Sequence, residues 1–198
     1  MRIWLAVLGG LLVLLLVSVV VAEGRDNEGE TVRPERWADD VCDVIGAWEG
    51  QLEVIGDEID LSSVAVRRHD GGSGDEVEGT IHVRDAVDRA VQATNDTLQE
   101  GLTRAGSPDV ANGEEASSIL ADWAQSTEAH LRIVRNALEV SPNTTATAFG
   151  GLAAAVVVLE NAAEAGREAF ASVAELDPEL ADAIEGERSC QELRSEEP

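Results

Sequence analysis

The sequence predicts an all-α protein: an antiparallel four-helix bundle with a short fifth helix, preceded by an N-terminal signal or membrane-anchor helix. Three observations predict it. Apolar residues recur at steps of three and four along four long segments. Clusters of Gly, Pro, Ser, Asn and Asp separate those segments. The run from Ile3 to Ala22 is uncharged and rich in Leu and Val. Without that run, the remainder of the 198 residues suffices for one domain with a full core. The expected organisation is a leader at 1–22, an acidic linker at 23–33, a helical bundle at 34–193 and a tail at 194–198.

The leader follows Met1 and Arg2 and is succeeded by Glu23, Asp26, Glu28 and Glu30, an asymmetry that keeps the N-terminus inside and sends the rest out. As a helix it spans about 30 Å, enough to remain as an anchor. Val20 and Ala22 also fit the small-residue positions before a signal-peptidase site, so both an anchor and a cleaved signal are compatible with it. In either case residues from Glu23 onward are extracytoplasmic, and the leader, if uncleaved, is the contact with the membrane.

The first bundle helix carries Trp37, Val41, Ile45, Trp48, Leu52, Ile55 and Ile59 on one face. The stretch "HDGGSGDEVEG" separates it from a second helix lined by Val83, Val87, Ala90, Thr94, Leu98 and Leu102, for which Asp75 or Thr80 is a candidate cap. "AGSPDVANGEE" makes the next turn, with Asn112 and Glu115 at capping-box spacing. The third helix presents Ala116, Leu120, Trp123, Thr127, Leu131, Val134 and Leu138 and stops at Pro142, which disfavours helical geometry in the residue before it. The fourth is expected to bury Phe149, Leu152, Val156, Leu159, Ala163, Phe170 and Val173. It is uncharged from Asn143 to Leu159, but is read as a Gly/Ala-rich core helix and not as a second membrane span. Asp177 and Pro178 suit the cap and first turn of a short fifth helix with Leu180 and Ile184. Beyond Gly186 the pattern decays, and helix is not predicted around Cys190.

Charge narrows the partners. The chain has 39 acidic and 14 basic residues and a net charge of -25, and every basic residue is Arg. Such a surface repels phosphate backbones and anionic headgroups, which excludes nucleic acid as a partner. Apolar residues form 44% of the chain but aromatics only 3%, so the core is built from aliphatic side chains.

Two cysteines, Cys42 and Cys190, stand near opposite ends of the exported part. Cys42 is twenty residues beyond Ala22, too far for lipidation at the leader. Asp39, Asp40 and Asp43 surround it and oppose a reactive thiolate. In an oxidising compartment the two pair, and a Cys42–Cys190 disulfide is expected. Helical spacing puts Cys42 on the flank of the first helix, in line with Glu49 and Glu53 and away from the tryptophans, so it is expected to staple a peripheral segment and not to fill the core.

No catalytic, cofactor or metal residues are assigned. His69, His82 and His130 lack zinc-site spacing, and no Glu lies three residues before a His as a di-iron bundle requires. "GGSGDEVEG" and "GDEID" fall short of calcium-binding patterns. There is no G-x-S-x-G and no Gly-rich loop ending in Lys. Carboxylates are so numerous that a catalytic pair carries no signal. Trp37, Trp48 and Trp123 fall on inner stripes and read as core.

"RWADDVC", a Trp six residues after that cysteine, and the closing "SCQEL" resemble exported helical proteins of actinobacteria, which carry a signal or anchor, two distant cysteines and acidic surfaces. The resemblance implies no activity, so it carries over no functional residue. The expected function is therefore a non-enzymatic extracytoplasmic module of the bacterial cell envelope, binding another envelope protein or a cell-wall component. The alternative is a cation- or small-molecule-binding protein. Nothing in the sequence addresses oligomeric state.

Overall fold

The computed structural model describes residues 31–58, 75–142 and 144–195. The leader, the linker up to Glu30, Ile59, His69 with the glycines before Asp75, and residues 196–198 lie outside the described residues. From Thr31 the chain runs through β1 (Thr31–Val32), α1 (Pro34–Glu58), α2 (Asp75–Ala93), a π-helical stretch (Thr94–Gln99), α3 (Glu100–Ala105), β2 (Ser107–Pro108), α4 (Gly113–Val140), α5 (Thr145–Leu176), α6 (Pro178–Gly186) and α7 (Arg188–Ser195). The protein is all-α apart from a two-residue parallel bridge between β1 and β2.

The predicted faces of the first three helices are the ones buried. Trp37, Val41, Ile45 and Trp48 of α1 are in the core, with Leu52 and Ile55 half-buried. Every member of the second stripe, from Val83 to Leu102, is buried, as is every member of the third from Ala116 to Leu138. Burial of such stripes, at about 25 cal/mol per Å² of apolar surface, is what holds helices of this length in place. Thr80 lies inside α2, so it does not cap it, and Asp75 is the first helical residue.

The fourth predicted face is corrected by the structure except at Val173, which is buried as expected. Phe149 and Val156 are 44% and 46% exposed, and Leu152, Leu159, Ala163 and Phe170 are only half-buried. What α5 buries is the adjacent row, Ala148, Ala155, Ala162 and Ala169, seven residues apart and one position round from the larger side chains. The reason is close approach to α4. A Cβ on Gly151 would lie 2.3 Å from Leu138, and one on Gly166 would lie 2.8 Å from the Trp123 ring. A small-residue edge lets α4 seat its large side chains against the α5 backbone, and the large side chains of α5 are turned aside. Ala146–Leu176 is long and apolar enough to cross a membrane by length and composition alone. Here it packs against α4, α2 and α6.

Two further expectations are corrected. Asn112 does not form a capping box with Glu115: its side chain makes no cap hydrogen bond, and its Nδ2 donates instead to the Leu176 carbonyl at the far end of α5, 2.9 Å away. A helix, α7, does form around Cys190. Asp177 caps α6 as expected, its Oδ1 accepting from Glu179 N at 2.9 Å, with Pro178 in the first turn. The C-terminus of α4, cut short before Pro142, has its Leu138 and Ser141 carbonyls satisfied by Arg84 Nη2 from α2.

The turn into α4 is fixed at Gly106, whose φ of 70° and ψ of -151° are closed to other residues. Its carbonyl accepts from Trp37 Nε1 at 3.1 Å and from Ser117 Oγ at 2.9 Å, joining α1, α3 and α4 at one atom. Gly106→Ala is expected to cost about 1–3 kcal/mol of unfolding free energy through backbone strain, read by urea denaturation followed by far-ultraviolet circular dichroism. Gly166→Ala should destabilise the protein by a comparable amount, about 1–3 kcal/mol, through overpacking against Trp123.

Candidate functional site

The first and last long helices are not in close backbone apposition. α1 packs on α2, α3, α6 and α7, while α5 packs on α4, α2 and α6. Between α1 and α5 lies a cavity of about 460 Å³, roofed by α6 and α7. Its apolar wall includes Ile45, Trp123, Phe170 and Ile184, with Ala and Gly positions of α5 between them. Glu49, Arg167 and Glu185 are its charged lining.

Each wall is held by identifiable contacts. Trp123 meets Trp48 edge-to-face, ring centres 5.8 Å apart at 89°, the offset geometry that ring quadrupoles favour. Trp123 Nε1 donates to the Ala162 carbonyl at 2.8 Å, pinning α4 to α5. Trp48 Nε1 donates to Thr94 Oγ1 at 3.1 Å, and Thr94 in turn donates to the Ala90 carbonyl at 2.8 Å. That hydroxyl inserts into the hydrogen-bond ladder of α2 at the point where the helix widens into its π-helical stretch. The stretch also aims Gln99 Nε2 at Glu128 Oε2, 3.1 Å away. Glu128 is 7% exposed, and Arg132 lies 2.5 Å from its other oxygen as an ion-pair contact. All three tryptophans among the described residues thus spend their only polar group on structure, and of the three only Trp123 faces the cavity.

The predicted pair Cys42 and Cys190 stands on the cavity wall. Their sulfurs are 1.99 Å apart, their Cα atoms 5.1 Å apart, and the bond spans 148 residues of sequence. Cys42 was expected on a flank, under a peripheral segment and outside the core; it is 1% exposed and belongs to the main core cluster. The reason is that α6 and α7 fold across that flank and bring Cys190, itself 2% exposed, onto it. Ser189 adds a second tie, its Oγ donating to Asp39 Oδ1 at 3.1 Å.

Sequence reasoning missed the cavity and Arg167. One signal was present. Rows 148/155/162/169 and 149/156/163/170 of α5 both repeat every seven residues, and a helix packed on one side can bury only one of them fully. His82 and His130 are exposed. Among the described residues no group of three or more His, Cys, Asp or Glu is placed to hold a metal ion.

No family model, curated protein or solved structure matches this chain.

Thr94→Val keeps the shape of the side chain and leaves the buried Trp48 N–H without an acceptor. It is expected to cost about 1–3 kcal/mol in denaturant unfolding, whereas Thr97→Val, a half-buried site in the same stretch whose hydroxyl makes only a solvent-exposed bond to Gln51, should stay within about 0.5 kcal/mol. Thiol alkylation without reductant should label neither Cys42 nor Cys190. Reduction should lower unfolding free energy by about 2–5 kcal/mol, measured on the same protein with and without reductant.

Proposed function

We propose that the protein is a non-enzymatic extracytoplasmic module of the bacterial cell envelope, whose four long helices make an antiparallel bundle open along its α1–α5 edge, and that this edge binds an apolar group of an envelope component. The leader at 1–22 supports export, either as an anchor or as a signal removed after Ala22. The observation that carries the reading is the cavity itself, a concave and largely apolar space of about 460 Å³ with a few charged side chains at its margin. Binding sites for small apolar groups have this size and composition. Its chemistry favours binding over catalysis: the two sulfurs in its wall are bonded to each other, and Glu49 is engaged in an interaction of its own.

The acidic surface sets which components are welcome. With a net charge of -25, long-range attraction favours neutral or cationic surroundings, and a largely apolar edge on such a molecule is where an apolar partner meets least electrostatic cost.

Crosslinking and mass spectrometry on native envelopes of the exporting cell tests this. The full chain is expected to capture a specific neighbour through residues of the α1–α5 edge and to report the mature N-terminus in the same experiment. Ala171→Phe fills the cavity from an exposed position on its wall and should abolish that capture. Capture that is unchanged in Ala171→Phe would refute the reading.

A further inference from the structure

Resting on the reading of the α1–α5 cavity as a binding site, we infer that its ligand is an apolar carboxylate, with a hydrocarbon body against Trp123, Phe170 and Ile184 and its anionic head on Arg167.

The argument starts from how this chain uses its arginines. In a protein with 39 acidic residues against 14 basic ones, an arginine has no shortage of partners. Arg36 pairs with Asp40, Arg132 with Glu128 and Arg135 with Asp88. Arg84 serves the Leu138 and Ser141 carbonyls, and Arg104 donates to the Glu100 carbonyl at 3.2 Å. Arg167 lines the cavity, and its guanidinium makes no hydrogen bond or ion pair among the described residues. Arg33 shares that property but does not line the cavity. Of the cavity's two carboxylates, Glu49 is already engaged, whereas Glu185 is exposed at the end of α6, where solvent and salt screen it. Arg167, exposed on α5 as Glu185 is on α6, is the cationic group of the lining left to receive a head group, and its planar fork matches a carboxylate.

The rest of the molecule limits which anion is admitted. A small hydrophilic anion gains only the contact to one exposed arginine and must approach a surface of net charge -25. An anion attached to a hydrocarbon also gains the burial of its tail in the cavity, and that gain grows with every methylene. The cavity and the arginine together thus select amphiphilic carboxylates over both free anions and neutral hydrocarbons of equal length. The opposite assignment, a cationic amphiphile drawn to Glu49 and Glu185, makes the reverse prediction and is the direct competitor in the test.

The full chain is held in nanodiscs of zwitterionic lipid, with empty nanodiscs as the blank, and titrated calorimetrically with decanoate, decanol and decylammonium. Decanoate is expected to bind about tenfold more tightly than decanol, and decylammonium more weakly than either. Arg167→Gln should bring decanoate to the decanol affinity while leaving decanol unchanged, and a decanoate probe with a diazirine on its tail should crosslink to α5 between Ala163 and Ala174. Decylammonium binding as tightly as decanoate, or decanoate affinity unmoved by Arg167→Gln, would overturn the charge assignment. If decanol binds and Ala171→Phe removes that binding, the cavity reading survives such a result. Absence of binding by all three probes would sink both.

Discussion

The indole of Trp123 occupies space that a β-carbon on Gly166 would need, and the rest of the architecture depends on that contact. To seat the ring, α5 must present its glycine and alanine edge to α4, and the ring's N–H then closes on the Ala162 carbonyl. A helix has one direction in which to turn its remaining apolar side chains once that edge is committed. Phe170 therefore meets the space beside α1, while Phe149 and Val156 on the same row are left partly in solvent. The space between α1 and α5 follows from the closeness of the α4–α5 pair.

A second set of contacts keeps α1 where the cavity requires it. Trp37 and Trp48 each reach out of α1 with an indole N–H, one to the turn at Gly106 and one to the widened helix at Thr94. Both partners sit at irregular backbone, where a carbonyl or hydroxyl is free of the regular ladder. The Cys42–Cys190 bond then draws α7 onto the remaining flank, closing a loop of 148 residues. In the chain-entropy account such a link removes about 5 kcal/mol of freedom from the unfolded chain, an upper figure for real bridges. It also forms part of the cavity wall, so stability and the shape of the cavity are set by the same atoms.

Charge and apolar surface divide the molecule between them. The acidic excess discourages association over most of the surface, and the largely apolar cavity beside α5 offers the opposite chemistry. A molecule with that division carries an acidic coat over most of its surface and an apolar space at one place. Arg167 stands at the boundary of the two regions, which is where the head of an amphiphile lies when its tail is buried.

Much of this was legible in the chain. The three- and four-residue spacing from Trp37 to Ile55, from Val83 to Leu102 and from Ala116 to Leu138 named the buried faces, because each of those helices has one dominant apolar stripe. The two cysteines, unopposed by any other thiol, identified each other, and Asp177 with Pro178 marked the start of α6. Where two stripes competed, as in α5, periodicity had no means of choosing, since side-chain size counts toward burial but close approach favours its absence. Cys42 was misplaced for a related reason: a position's burial depends on which segments fold over it, and α6 and α7 are distant in sequence. So the sequence by itself determined the helices, the sulfur pair and the charge, all of which are local or compositional. Only the tertiary structure decided which face of α5 is buried, that a cavity lies between α1 and α5, and that Arg167 lines it with no partner among the described residues, because those depend on distances between segments that the chain brings together only by folding.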